Sequence, residues 1–472
     1  MQPQLCADGE SRGPVHQQAP AWMDTRKAGS AMTARTLPGA LATATFALRP
    51  AQLAWLAAAV FVVSAGYGAL MPLLPGWLVP MMPGASAAEI ARHVGFLSGV
   101  YAGGVLVGAL LWGVVSDRVG HGRILIIGLI GYVVSLLLLL VPRVESVWVI
   151  YLLRGSTGFF VAAVIPVVAA LVAEYTPQEQ RARRFAWLGA MSLLGFLFGP
   201  GLNVVAAWVG SWFSAAAVSD ALSARVVLGL SALLGTVMML GLARTLPRSR
   251  PPAATAQADS VAAAQSRPVA LLWLNGVLMF VLAGFELGIV LQAQQEAGQS
   301  SRQAALMFAE CSLVMLGVNA LLFFTSLMDR VSARKLIGSG LILAMIGLVV
   351  LTQHRSEIWM YLGVSLTSAG TGLVLPVIAY LAAGASANKL GTTMGGLAAA
   401  AGLGQTLGSA AGGWLYGAFA HRSFAWLTVP LIVMLVCLLA RPLWWSGVTA
   451  KFSFSAMRHQ RARLTPAGKA GT

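Results

Sequence analysis

Residues 124–141 read ILIIGLIGYVVSLLLLLV, eighteen residues without one charged side chain. As an α-helix, this stretch is about 27 Å long, close to the thickness of the hydrocarbon core of a bilayer. The whole chain is 58% hydrophobic and 10% charged over 472 residues, whereas soluble domains carry roughly 25% charged residues. The composition therefore excludes soluble globular and disordered proteins and predicts an all-α integral membrane protein.

Twelve such apolar stretches predict twelve transmembrane helices. They cover residues 52–79, 93–113, 123–142, 148–172, 185–208, 224–243, 268–292, 303–325, 335–352, 358–384, 391–417 and 424–440. A polar Pro-, Ala- and Ser-rich segment separates the first six from the last six. We therefore predict a flexible cytoplasmic arm (1–50), an N-terminal six-helix bundle (51–245), a cytoplasmic linker (246–267), a C-terminal six-helix bundle (268–445) and a basic cytoplasmic tail (446–472).

The positive charge is distributed unevenly between the two sides of the predicted bundle. The formal net charge is +16, and its cations lie between the apolar stretches rather than in one patch suited to nucleic acid. Of the 31 Lys and Arg, 24 lie on the side of the membrane that holds both termini, and Arg154 lies within a span. The opposite side holds the other six, which are Arg92, Arg143, Arg225, Arg302, Arg355 and Arg422. This bias predicts that both termini are cytoplasmic. We expect a multi-pass protein of the bacterial cytoplasmic membrane.

The two halves repeat one another. Asp117-Arg118-Val119 follows the second span, and Asp329-Arg330-Val331 follows the eighth, 212 residues later. Membrane carriers are often built from such repeats, with the substrate bound between the halves near the middle of the bilayer.

Glycines recur at fourfold spacing in spans 2, 5 and 11. They are Gly95, Gly99 and Gly103; Gly195 and Gly199; and Gly404, Gly408 and Gly412. Stripes of glycine allow helix backbones to approach closely. Their equivalent places in the repeat predict a shared sliding interface; the alternative is static packing.

Three motifs resemble those of the major facilitator superfamily. The loop after span 2, Gly113-Val-Val-Ser-Asp117-Arg118-Val-Gly120-His121-Gly122-Arg123, resembles the G-x-x-x-D-R-x-G-R-[RK] motif, although His121 and Gly122 stand where cations are usual. Arg154-Gly-Ser-Thr157-Gly158 resembles the helix-4 motif. Gly195-Phe-Leu-Phe-Gly199-Pro200 resembles the helix-5 motif of the drug/proton antiporter branch, with Asn203 and Val204 in place of its closing glycines.

This resemblance implies a secondary transporter that works by alternating access. Helices 1, 4, 7 and 10 would line the cavity, helices 2, 5, 8 and 11 would form the moving interface, and helices 3, 6, 9 and 12 would lie outside. The resemblance also implies a gating role for Gly113, Asp117, Arg118, Gly120 and Arg123, with Asp329 and Arg330 as their repeat. The alternative is a turn whose cations only anchor the orientation in the membrane.

Three ionisable residues lie deep in the predicted spans. Arg154, Glu286 and Glu310 are six or seven residues from the same side of the bundle, roughly 9–11 Å deep. Ionisable groups inside a membrane are functional candidates by default. Together they could form a charge network that carries a coupling proton; the alternative is a permanent structural ion pair.

Aromatic and methionine side chains on the predicted cavity helices suit apolar ligands. The candidates are Tyr67, Met71, Phe159, Phe160, Phe285 and Tyr380, and each could instead serve packing. The six histidines show no metal-binding spacing, and no nucleotide-binding loop or catalytic motif is found. The sequence therefore predicts neither enzyme activity nor a cofactor.

The sequence favours a proton-coupled exporter of a small apolar or amphiphilic compound, acting as a monomer in the lipid bilayer. Two other hypotheses remain open. One is a transporter of a polar metabolite such as a siderophore or organic acid, and the other is a membrane receptor or scaffold on a transporter fold.

The charge bias predicts the location of the C-terminus. A reporter enzyme that works only outside the cytoplasm, fused after Thr472, should be inactive, because the cation-rich side stays in the cytoplasm. The same reporter inserted in the loop before Arg92 should be active. The reverse pattern would refute the orientation.

Overall fold

The computed structural model describes residues 48–141, 146–176, 178–212, 219–246, 269–295, 301–325, 327–353, 356–385 and 390–440. Residues 1–47 of the predicted arm, 247–267 of the predicted linker and the whole predicted tail (446–472) lie outside these residues. The described part is built from helices, which confirms the predicted all-α class.

Twelve long helices, numbered α1 to α12, follow one another in this part of the chain. They are α1 (Pro50–Leu70), α2 (Ala87–Val119), α3 (His121–Leu139), α4 (Val147–Val161, continued by Ile165–Glu174), α5 (Gln178–Ser211), α6 (Asp220–Thr245), α7 (Val269–Gln295), α8 (Ser301–Phe324), α9 (Ala333–Gln353), α10 (Glu357–Ala385), α11 (Leu390–Phe419) and α12 (Ser423–Ala440). Short helical segments from Met71 to Met81 extend α1. Among the described residues, eleven stretches are apolar and long enough to cross a membrane, and the last, Gly396–Ala440, includes most of α11 and all of α12.

Local sequence explains where helices begin and end. Ser86 and Glu89 form a capping box at the start of α2, in which Ser86 Oγ accepts from the Glu89 amide at 3.3 Å and Glu89 Oε2 accepts from the Ser86 amide at 2.7 Å. α2 gives way to α3 at Gly120, whose φ of 104° lies in a region that other residues avoid. This backbone position explains the glycine in the loop motif.

Helices α3, α6, α9 and α12 lie at the periphery of the bundle. α3 packs against α4 and α6, and α9 packs against α10 and α12. Their outer faces carry exposed aliphatic side chains, including Leu137, Leu233, Ile346 and Val436. Such faces suit contact with lipid, as the Leu- and Val-rich composition of these helices predicts.

The two six-helix halves meet through α2 and α11 and through α5 and α8. We call the end of the bundle that holds Arg92 and Arg422 the cation-poor end, and the opposite end the cation-rich end. Along α2, the contact with α11 runs from Ala88, opposite Gly417, to Leu106, opposite Gly402. These contacts close the halves together toward the cation-poor end.

Toward the cation-rich end, α2 loses this close contact. A Cβ placed on Gly113 would meet no atom within 4 Å, and Leu110 and Val114 are 60% and 56% exposed. The close α2–α11 contact is therefore confined to the part of α2 nearer the cation-poor end.

Only one of the three glycine stripes lies at the interface between the halves. Gly95 of α2 faces α11, where a Cβ would lie 2.7 Å from the Gly413 Cα. Gly199 of α5, by contrast, packs against α1, and Gly404 of α11 packs against α7, each within its own half. The predicted sliding interface is therefore wrong for the α5 and α11 stripes, because glycine spacing indicates close approach but not which helix approaches.

The packing of the helices predicts opposite effects of an alanine substitution at two helical glycines, Gly404 and Gly317. A Cβ on Gly404 would overlap the Gly276 carbonyl oxygen, whereas a Cβ on Gly317 meets nothing within 4 Å. We expect Gly404→Ala to lower the free energy of unfolding by about 1–3 kcal/mol, because α7 and α11 must separate. Gly317→Ala should be neutral or stabilising. Thermal unfolding of the purified protein checks this ranking, and equal melting temperatures would contradict it.

Candidate transport site

Arg154 is the only charged side chain among the fully buried residues of the described structure, with 2% exposure. Its Cζ lies 4.4 Å from the centroid of the Tyr101 ring and 5.9 Å from that of Tyr67. Its Nε and Nη2 atoms have no hydrogen-bond partner within the described part of the chain. Tyrosine faces rather than a carboxylate therefore stabilise this cation.

Tyr67 links this cation to the other half of the bundle. Its ring packs 5.1 Å from the Tyr101 ring and 5.4 Å from the Phe196 ring, measured between centroids. Its hydroxyl interacts with Gln405 of α11 and lies within electrostatic range of Glu286 of α7. Tyr67 is thus within range of both a buried cation of the first half and a carboxylate of the second.

Glu286 is half-buried on α7 among fully buried apolar neighbours such as Leu287. Its carboxylate accepts no hydrogen bond from the residues that the structure describes. It also lies within electrostatic range of Cys311, the buried residue that follows Glu310 on α8. A carboxylate with no fixed donor or cation is suited to gaining and losing a proton.

Glu310, unlike Glu286, is held by a side-chain hydrogen bond. Its Oε1 accepts a 2.5 Å hydrogen bond from Ser365 Oγ of α10, while its buried Oε2 has no partner among the described residues. Cys311 lies within electrostatic range of both Glu310 and Glu286. The helices α8 and α10 thus fix this second carboxylate through a side-chain hydrogen bond.

The three predicted charges do not form an ion-paired network. Among the described residues, none of these three side chains forms a salt bridge with another; the close contact at 3.0 Å between His121 Nδ1 and Glu174 Oε2 lies elsewhere, at the cation-rich end. Arg154 and Glu286 each lie within range of Tyr67 instead. Arg154, Glu286 and Glu310 lie at a similar depth along their helices but do not contact one another directly. The rotation of each helix about its axis decides where its side chains point.

The loop motifs lie at the cation-rich end. The side chains of Asp117 and Asp329 lie outside the described structure, so their gating contact stays a prediction. The Arg118, Arg123 and Arg330 side chains are exposed. His121, which replaces a usual cation of the first motif, instead contacts Glu174 at the end of α4.

The predicted cavity residues are dispersed. Tyr67 and Met71 are buried near one another on α1 and its extension, and Ser98 Oγ donates to Met71 Sδ at 3.6 Å. Phe285 is completely buried, and Tyr380 is half-buried on α10. In this conformation, Phe285 therefore has no surface to offer a ligand.

Phe159 and Phe160 form an aromatic cluster with Trp112. The Trp112 ring centroid lies 5.2 Å from that of Phe159, and Trp112 Nε1 donates to the Phe159 carbonyl oxygen at 2.9 Å. Phe160 also packs over Gly131 of α3. This cluster packs α4 against α2 and α3, as the packing alternative predicts for these two residues.

Sequence reasoning missed Tyr101, Gln405 and Ser365. Each contacts a charged or polar candidate from a different helix. Their spacing along the chain carries no information about these contacts, since residues of separate helices are brought together only by packing.

Comparisons with known proteins agree with this architecture. Residues 56–322 and 288–469 match the sequence profile of the Major Facilitator Superfamily. The chain is 26% identical to the tetracycline resistance protein, class G, of Vibrio anguillarum over 80% of this chain and 94% of that protein. It is 37% identical to the class B protein of Escherichia coli, a match that spans 29% of this chain and about a third (32%) of that relative.

Solved structures share the fold at low identity. The human organic anion transporter MFSD10 superposes with a TM-score of 0.63 at 17% identity, covering 83% of this chain and 100% of that chain. A D-xylose–proton symporter superposes with a TM-score of 0.65 at 16% identity, covering 84% and 99%. Because the profile match covers both helical halves, the chain belongs to the Major Facilitator Superfamily and is a multi-pass membrane protein of a family of transporters.

Proposed function

We propose that this protein exports a small apolar or amphiphilic compound in exchange for protons. One observation carries the proposal: Glu286 of the second half is half-buried, has no hydrogen-bond partner among the described residues, and lies within electrostatic range of Tyr67, whose ring centroid is 5.9 Å from Cζ of the buried cation Arg154. A monomer holds all of these groups. The cation-rich end would face the cytoplasm.

The arrangement suits coupling across the two halves. Arg154 and Tyr67 belong to the first half, and Glu286 belongs to the second. Rocking of one half against the other changes the distance between Glu286 and Tyr67. A protonated Glu286 interacts less with these groups than a charged one, so proton binding and release bias the two conformations differently.

The substrate class rests on the aromatic lining and on the relatives. The buried rings of Tyr67 and Tyr101 and the partly buried ring of Phe196 form an aromatic cluster beside Arg154, and movement of the halves would expose it to an amphiphilic molecule. The matched relatives are named as tetracycline resistance proteins and, at 29% identity over 30% of this chain, as the quinolone resistance protein NorA of Staphylococcus aureus. These names favour export of such a compound over a polar metabolite or a scaffold role.

The coupling proposal predicts the effect of one substitution. Glu286→Gln keeps the shape of the side chain but cannot titrate. In inverted membrane vesicles, uptake of an amphiphilic dye driven by a pH gradient should fall to the level measured without a gradient. Dye exchange without a gradient should persist, because binding and rocking need no net proton step.

The matched control is Glu357→Gln. Glu357 lies at the start of α10, is exposed and accepts a hydrogen bond from Gln303 within its own half, so its removal should leave gradient-driven uptake unchanged. Folded yield is measured for both variants. Full gradient-driven uptake by Glu286→Gln would remove the coupling role from this residue, and Glu310→Gln then tests the remaining carboxylate.

The gating motif yields a separate prediction. Asp117 lies in the last turns of α2, just before the turn at Gly120, and we propose that its carboxylate stabilises one conformation. Asp117→Asn should slow transport several-fold while the amount of protein in the membrane stays normal. Initial uptake rates normalised to membrane content check this, and a normal rate would contradict the gating role.

A further inference from the structure

A polar cluster joins the two halves at the cation-poor end. Asp220 is the first residue of α6, in the first half, and Ser301 is the first residue of α8, in the second. Ser301 Oγ donates to Asp220 Oδ2 at 2.5 Å. Gln294, near the end of α7, donates through Nε2 to Ser301 Oγ at 2.6 Å and to Asp220 Oδ2 at 3.4 Å.

These hydrogen bonds are complementary in donor and acceptor. The Ser301 hydroxyl accepts a hydrogen bond from the Gln294 amide and donates one to the Asp220 carboxylate. Ser301 is buried and Asp220 is partly buried. Hydrogen bonds to an ionised acceptor are about twice as strong as neutral ones, and limited access to water strengthens them further.

Asp220 is not needed to start its own helix. The preceding residue, Ser219, caps α6 by accepting from the Leu222 amide at 3.2 Å. The Asp220 carboxylate is therefore available for the contact across the halves. A cap alone would not require an acidic residue at this position.

A glycine fixes the position of the Asp220 side chain from within the first half. Gly76 lies in the short helix Leu74–Leu78 that extends α1. A Cβ on Gly76 would overlap the Asp220 carboxylate. Gly76 therefore provides the space in which Asp220 reaches Ser301.

We propose that Asp220, Ser301 and Gln294 form an outer latch that stabilises the conformation closed at the cation-poor end. The α2–α11 contact closes the same end, so opening it must separate Asp220 from Ser301. Asp220 is a positioning residue for the transport cycle. The latch rests on alternating access alone, and neither proton coupling nor the substrate enters into it.

The test measures the opening of the cation-poor end without any substrate. Spin labels are attached to cysteines replacing Arg92 and Arg422, which are exposed on opposite halves at that end, in the full chain with Cys6, Cys311 and Cys437 changed to alanine. The distance distribution is recorded by pulsed electron paramagnetic resonance in lipid nanodiscs. Asp220→Asn and Ser301→Ala should each increase the ratio of long to short distances by about tenfold, the change that 1.4 kcal/mol produces.

Two further variants make the result specific. Gly76→Ala should shift the ratio in the same direction, because it displaces the carboxylate without removing any polar group. Glu357→Gln, which removes an exposed hydrogen bond within one half at the same end, should leave the ratio unchanged. The double variant of Asp220 and Ser301 should shift no further than the stronger single variant, since both remove one contact.

The outcomes separate the latch from the transport proposal. Unchanged distances in Ser301→Ala and Gly76→Ala would overturn the latch, even if Asp220→Asn failed to fold. An equal shift in Glu357→Gln would also overturn it, since any polar change at that end would then suffice. Gradient-driven transport through Glu286 is measured separately and can fail while the latch holds.

Discussion

The hydrocarbon core of a membrane contains no water with which backbone N–H and C=O groups can bond. Every spanning segment must therefore satisfy these groups internally, and an α-helix does so along its whole length. This constraint explains why the described chain consists of long helices with short connections. It also explains why aliphatic side chains such as Leu233 and Val436 are exposed on the outer helices, where lipid rather than water surrounds them.

Within this frame, glycine decides which helices approach most closely. Gly404 and Gly408 place α11 against the backbone of α7, and Gly195 and Gly199 place α5 against α1. These contacts make each half a compact unit. Gly95 serves the interface between the halves instead. A carrier needs both kinds of contact, because each half must stay rigid while the two move against each other.

The polar side chains, like the glycines, fall into those that make contacts within one half and those that make contacts between the halves. Arg154 is enclosed by tyrosines of its own half, and Glu310 is held by Ser365 of its own half. Tyr67 and Asp220 reach across, the first toward Gln405 and Glu286 near the centre and the second toward Ser301 at the cation-poor end. Polar contacts between the halves are the ones that a conformational change must break and re-form, so they are the natural places for coupling and gating.

The sequence by itself determined the class of protein and much of its architecture. Long uncharged stretches require helices that span a bilayer, and the peripheral position of α3, α6, α9 and α12 follows from their aliphatic composition. Tertiary structure alone decided which residues meet. Arg154, Glu286 and Glu310 could be placed at one depth by counting residues, but only packing showed that the first two both lie within range of Tyr67 and that Ser365 binds the third. Gly199 and Gly95 look alike in sequence, yet one faces its own half and the other faces the opposite half. The physical reason is that spacing along a helix fixes which residues share a face, whereas the neighbour of that face depends on how all twelve helices pack.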